Sequence, residues 1–167
     1  MKIIQVVGYK NSGKTRTVLE LVAYFRGQGM EVATLKHHGH GGVPLGLEDK
    51  DSALHRDAGA IVAGVEGDGL FQLSKPTPWK LEELIGIYRF WNVDVLIIEG
   101  FKEAGYEKIL LLKDEKDSDL LQKLSNVIAV VTTLSLESGK PHFSPDALQE
   151  LAEWLVCDWW QEKHDGQ

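Results

Sequence analysis

Residues 8–15 read Gly8-Tyr9-Lys10-Asn11-Ser12-Gly13-Lys14-Thr15. An apolar, β-branched run at 3–7 precedes them, and in the stretch that follows Val18, Leu21, Val22 and Phe25 recur at spacings of three and four. A buried strand, a glycine-bounded loop and an amphipathic helix form the context that gives the pattern Gly-x-x-x-x-Gly-Lys-[Ser/Thr] its meaning. Gly8 and Gly13 allow backbone angles at which successive amide N–H groups converge on phosphate oxygens, and the helix beginning at Lys14 adds the positive end of its dipole. Lys14 is placed to reach the β- and γ-phosphates of a nucleotide, and Thr15 to offer its hydroxyl to Mg²⁺. An ordinary glycine turn is the bland alternative, and the strand–loop–helix context argues against it.

Outward from this loop, apolar runs alternate with helical periodicity, the sign of βαβ units and a largely parallel sheet. Strands are expected at 3–7, 32–35, 93–98, 108–112 and 127–131, and helices at 14–28, 51–58 and 78–91, with a last long helix opened by Ser144-Pro145. Thr77-Pro78 repeats that cap-plus-proline device. Two further strands, 60–65 and 70–73, meet at Glu66-Gly67-Asp68-Gly69 as a hairpin expected to add an antiparallel part to the sheet. The chain is thus expected to be a single α/β domain over 1–167: a three-layer P-loop NTPase fold with a mostly parallel sheet, an antiparallel hairpin and helices on both faces.

Composition narrows the function. Of 167 residues 43% are apolar and 26% charged, and no run of 18 apolar residues is present to span a bilayer. No secretory leader is evident, so a cytoplasmic protein without a membrane partner is expected. A net charge of −7 lacks the basic stripes that a nucleic-acid polymer requires, so any polyanion must be held locally, in a pocket. The single cysteine, Cys157, excludes an internal disulfide or a cysteine metal site.

A phosphate loop needs an acidic partner, and Val95-Leu96-Ile97-Ile98-Glu99 supplies one. Four consecutive apolar residues suit a central parallel strand, which would bring Glu99 out at the carboxyl edge, beside the phosphate loop. There it can hold Mg²⁺, directly or through water, or orient an attacking water. Otherwise it is a helix cap or a surface carboxylate. Asp51, in Asp49-Lys50-Asp51-Ser52, is a second acidic candidate, set against a solvated helix start. Between them the glycine-rich stretch 37–50 lacks periodicity and reads as a long loop opening on His37, His38 and His40. Those imidazoles suit a transition metal, a nucleotide or a partner contact, or are loop composition alone.

Taken in order, Gly8 to Thr15, Lys36-His37-His38, Asp51-Ser52 with Arg56 and Ala58-Gly59-Ala60, and Glu99-Gly100-Phe101-Lys102 closely resemble the MobB family, molybdopterin-guanine dinucleotide biosynthesis protein B. The resemblance implies a dimeric P-loop protein that binds GTP and hydrolyses it weakly. It would assist a MobA-type nucleotidyltransferase as GMP is attached to molybdopterin. By position, Lys10, Asn11, Ser12, Gly13, Lys14 and Thr15 would bind phosphate, Thr15 and Glu99 would serve Mg²⁺, and Asp51 would lie in a switch-like segment. Arg16 stands where many members carry a second Thr that contacts the α-phosphate. No Asn-Lys-x-Asp guanine reader is present, so the preference for guanine rests on the resemblance.

Two other readings compete: a metallochaperone-type GTPase using the histidine loop, and a small-molecule kinase with Glu99 as base. On the last helix Leu148, Leu151, Ala152, Leu155 and Trp159 share a stripe, while Trp154 and Trp160 fall outside it. They need cover, from burial of the helix between sheet and loops or from a protein contact; in keeping with the resemblance a homodimer is expected, with strand 70–73 of the hairpin as the alternative contact.

Overall fold

In the computed structural model residues 1–39 and 50–159 are described, the side chains of residues 50, 51, 158 and 159 excepted. The apolar run after Met1 forms β1 (Lys2–Gly8), and the periodic stretch beyond the glycine loop forms α1 (Lys14–Gly27). The helix stops where Met30 N–H bonds back to Phe25 O and Gly29 N–H to Arg26 O, a Schellman closure. The remaining strands of this unit are β2 (Val32–Lys36), β5 (Val95–Glu99), β6 (Glu107–Leu111), β7 (Val127–Val131) and β8 (His142–Phe143). With β1 they make one parallel sheet in the order β2-β5-β1-β6-β7-β8. All five residues of β5 are buried, as its unbroken apolar run requires.

The alternation of β1 splits the core between the two faces of the sheet. Ile4 and Val6 pack with Val18, Leu21 and Phe25 of α1 and with Leu148, Leu151 and Leu155 near the end of the chain. Val7 faces the other way, with Leu110, Leu112, Val130 and Leu120. Leu120 belongs to α4 (Asp119–Lys123), which with the 3₁₀ turn Glu115–Ser118 forms a short cover that the sequence did not announce. Helices therefore flank both faces, as expected.

The last helix differs in two ways. Ser144-Pro145 does not open it: Ser144 instead closes a turn, accepting Ala147 N–H on its carbonyl at 2.9 Å and Asp146 N–H on its hydroxyl at 3.2 Å. The helix, α5 (Leu148–Trp154), begins only afterwards and widens into a π-helical turn at Leu155–Trp159. Trp154 is half-buried against Phe143, with ring centroids 5.7 Å apart, so the chain itself covers part of that ring. Trp160 lies outside the described residues.

The second unit, described over 50–90, contains α2 (Lys50–Asp57), β3 (Ala63–Gly67), β4 (Leu70–Ser74) and α3 (Leu81–Phe90). Its hairpin is a separate two-stranded antiparallel sheet, and does not add to the parallel one. Asp68 and Gly69 both take positive φ, the two-residue turn that an Asp-Gly pair favours. The strand begins three residues later than expected, because residues 58–60 are spent ending α2: Gly59 N–H bonds to Arg56 O and Ala60 N–H to His55 O. Thr77-Pro78 likewise does not start α3. Lys80 N–H is taken instead by the Glu83 carboxylate at 2.7 Å, which also pairs with Lys75.

Candidate functional site

Sheet register brings the site together. Val6 is the partner of Glu99 across β1 and β5, and Lys36 is the partner of Glu99 across β2 and β5, so three strand ends and the loop 8–15 share one edge. The loop leaves β1 at Gly8, where a side chain would collide: a Cβ there would lie 2.7 Å from Leu111 O and 2.6 Å from Ser12 Oγ. Gly13 takes φ +96° immediately before α1, a backbone angle that glycine adopts without strain. The first-turn amides of α1 have no carbonyl partner within the helix and point their donors into the loop.

Around this loop the side chains are set by short contacts. Lys14 arches back and donates from Nζ to Tyr9 O at 2.6 Å. Burial lowers its pKa below the ordinary lysine value; the Glu99 carboxylate opposes that shift, and the ammonium groups of Lys102 and Lys36 add to it. Ser12 Oγ is buried with no hydrogen-bond partner among the described residues. A buried orphan hydroxyl, a glycine that backbone crowding forbids to carry a side chain, and unpaired helix amides together suit a bound phosphate chain.

Thr15 Oγ1 lies 3.1 Å from Glu99 Oε2 and 3.3 Å from Oε1. A hydroxyl and a carboxylate, both hard oxygen donors, fit a small divalent cation such as Mg²⁺, which keeps several waters besides one or two protein oxygens. Lys36 completes the group, with Nζ 2.9 Å from Glu99 Oε1 and 3.3 Å from Thr15 Oγ1.

Past Glu99 the chain turns sharply, with Phe101 at φ +51°. Gly100 N–H donates to Val6 O, and Gln5 Nε2 donates to Gly100 O at 2.9 Å and Phe101 O at 2.7 Å. The Phe101 ring stacks on His37, centroids 4.2 Å apart, and His37 N–H donates to Glu99 O. Lys102 Nζ sits 4.3 Å from the centre of the Tyr9 ring, and the Tyr9 hydroxyl reaches Asp119 at 3.4 Å.

The structure thus gathers Gly8, Ser12, Gly13, Lys14, Thr15, Glu99 and His37. Lys10 and Asn11 form the crest of the same loop, Asn11 in the left-handed region at φ +61°. Arg16 turns to Asp146 at 3.5 Å, an exposed pair. The backbone of Asp51 belongs to α2 of the second unit, but its side chain, like the whole of His40, lies outside the described residues. No group of three metal-ligating side chains occurs among the described residues. Lys36, Gln5, Tyr9 and Lys102 were not among the residues expected in the site; the signal for Gln5 was its position as a polar residue in an apolar strand.

Comparison with known proteins sharpens this picture. Residues 3–133 match the family model MobB, described as molybdopterin guanine dinucleotide synthesis protein B. A Bacillus subtilis protein named as a probable molybdopterin-guanine dinucleotide biosynthesis adapter protein is 45% identical over 149 residues, 86% of either chain. A Haemophilus influenzae adapter protein of the same name is 26% identical over 92% of this chain and 86% of its own. Among solved structures, Bacillus subtilis MobB superposes with a TM-score of 0.74 at 37% identity, covering 93% of this chain and 96% of that one. A MobB homolog from Bacillus stearothermophilus gives 0.72 at 34%, with the same coverage.

Proposed function

The chain belongs to the MobB family, and from that premise we propose that it is a molybdopterin-guanine dinucleotide biosynthesis adapter protein whose phosphate loop binds GTP with Mg²⁺. The observation that carries the nucleotide reading is the contact of Thr15 with Glu99 beside the loop, at 3.1 Å. In this reading the loop amides, Ser12 Oγ and Lys14 hold the phosphates, while Thr15 and Glu99 hold the metal. Bound there, Mg²⁺ would neutralise charge on the β- and γ-phosphate oxygens.

Hydrolysis is slow in this scheme. The chain offers no assignable arginine finger apart from Arg16 and Arg56, and the residue after Glu99 is a glycine, with no side chain to orient water. A slow site suits an adapter, which needs the bound state to last while a partner acts. The partner proposed is a MobA-type nucleotidyltransferase that joins GMP to molybdopterin. The working form proposed is a cytoplasmic homodimer, each chain serving as one nucleotide-binding domain; no helix among the described residues is long and apolar enough to cross a membrane.

Equilibrium titration with fluorescent GTP and ATP analogues, with and without Mg²⁺, tests the reading. Magnesium-dependent binding that favours the guanine analogue supports it. Absence of binding, or an adenine preference, defeats it.

A further inference from the structure

Lys36 ends β2, an edge strand of the sheet, and its Cα pairs with that of Glu99 on the neighbouring strand. Adjacent strands lie about 4.8 Å apart, so a lysine stem starting there reaches the Glu99 carboxylate without leaving the sheet edge. Its Nζ is 2.9 Å from Glu99 Oε1 and 3.3 Å from Thr15 Oγ1, while Thr15 Oγ1 is 3.1 Å from Glu99 Oε2. Ammonium, hydroxyl and carboxylate close a triangle. The hydroxyl accepts from Lys36 and donates to Glu99, so all three polar groups are satisfied in the absence of any ligand.

The two oxygens bound by Lys36 are the same two that suit a divalent cation. The Glu99 side chain is only 11% exposed, so its charge needs a nearby countercharge; the Lys36 side chain is 61% exposed and free to swing away. Ammonium and metal cannot share the pair, because a single and a double positive charge would face each other within a few ångströms. The ammonium is also repelled by Lys14, whose own charge is disfavoured by both Lys36 and Lys102. A phosphate in the loop would be a stabilising destination for it.

We propose that Lys36 is a built-in substitute cation: it occupies the Thr15–Glu99 pair when no metal is present, and is exchanged onto the nucleotide phosphate when metal and nucleotide enter together. The proposal rests on the reading of Thr15 and Glu99 as metal ligands. It implies that the empty protein resists metal alone, because metal without phosphate must break the ion pair of Lys36 with a nearly buried carboxylate and gains no phosphate contact in exchange. Metal and nucleotide then bind cooperatively, and the pair releases Lys36 from the sheet edge as a unit.

The test uses Mn²⁺ alone, with the nucleotide-free full chain, reading free Mn²⁺ by electron paramagnetic resonance. Lys36→Met should bind Mn²⁺ about tenfold more tightly than wild type, since one repelling charge is removed. Lys36→Arg should bind it as weakly as wild type, and a Lys36→Met,Glu99→Gln double variant should lose the gain. Lys36→Gln serves as a second neutral variant should Lys36→Met fold poorly. Equal Mn²⁺ affinity in wild type and both neutral variants overturns the proposal, as does a gain that survives loss of the Glu99 carboxylate. A parallel titration of wild type with the GTP analogue keeps the two ideas apart. Nucleotide binding with an unmoved Mn²⁺ affinity sinks the exchange alone, and a Lys36-dependent Mn²⁺ affinity without nucleotide binding keeps Lys36 as the substitute cation but sinks the GTP reading and the transfer onto phosphate with it.

Discussion

Gln5 and Lys108 are partners across the pairing of β1 with β6, both are wholly buried, and both tie down one loop. Gln5 donates to the carbonyls of Gly100 and Phe101, and Lys108 to those of Ala104 and Tyr106. Two polar side chains in the middle of a sheet are costly unless bonded, and here their bonds fix the segment that follows Glu99. Gln5→Leu keeps the volume and removes both donors. It should lower stability by about 1–3 kcal/mol and weaken binding of a GTP analogue, because Phe101 is no longer held at its positive φ. Urea denaturation and a binding titration read the two effects; lost stability with full affinity would show that the loop does not position Glu99.

Burial lowers the pKa of Lys108, with Glu103 opposing the shift. Between that lowered value and the ordinary 10.5, the folded protein binds fewer protons than the unfolded chain, so this group's contribution to stability rises as pH rises through the window. It is at its least favourable below the lowered pKa, where both states are charged. Lys108→Met should flatten the rise, measured as unfolding free energy at several alkaline pH values. A slope identical to wild type would place the titration elsewhere.

Lys14→Ala should reduce affinity for a GTP analogue by on the order of a hundredfold, since a charge-assisted contact to phosphate is lost from a partly buried site. The fold should survive, because among the described residues the group bonds to Tyr9 O of its own loop. Circular dichroism checks the fold and fluorescence titration the affinity; unchanged affinity would remove Lys14 from the site.

Thr15→Ala should leave measurable nucleotide binding but make it less dependent on Mg²⁺, as the amide donors remain while one oxygen ligand goes. The readout is the ratio of affinities with magnesium and with chelator. A ratio equal to that of wild type would mean that Thr15 is no ligand.

For assembly, the hairpin leaves Leu70 63% and Phe71 58% exposed, a large apolar tip for a protein without a partner. A homodimer is expected in sedimentation. Leu73→Lys on β4 and Trp160→Glu near the end of the chain test the two surfaces. A monomeric wild type defeats the expectation, and dimers in both variants defeat both surfaces.

How far these features were legible from sequence depends on the kind of signal each leaves. Glu99 was placed correctly because an unbroken apolar run marks a central strand, and the residue ending it must emerge beside the phosphate loop. Lys36 left no such mark: its position beside Glu99 comes from lateral pairing of β2 with β5, and linear spacing does not encode which strands become neighbours. Gln5 is a polar residue inside an apolar run and Lys108 stands only at the head of one, and the partners of both are carbonyls, which every residue has. The helix starts failed for a different reason. Ser-Pro and Thr-Pro suit a turn as well as a cap: at Ser144 local side-chain bonds chose the turn, while Glu83 caps Lys80 N–H and sets the start of α3 beyond Pro78. β8, two residues long, is too short for any periodicity.

The order of strands also bears on how a growing chain becomes a binding protein. β1 lies between β5 and β6, and Thr15 meets Glu99 across 84 residues of sequence. At roughly 5–20 residues per second, a ribosome needs about 4–17 s to make that interval. Throughout it the phosphate loop has left the tunnel with neither its acidic partner nor the strands that flank it. On the proposed reading, nucleotide capture would be confined to chains whose central sheet is complete, and the apolar β1 must pass those seconds without its neighbours, the interval in which a chaperone would be most useful to it.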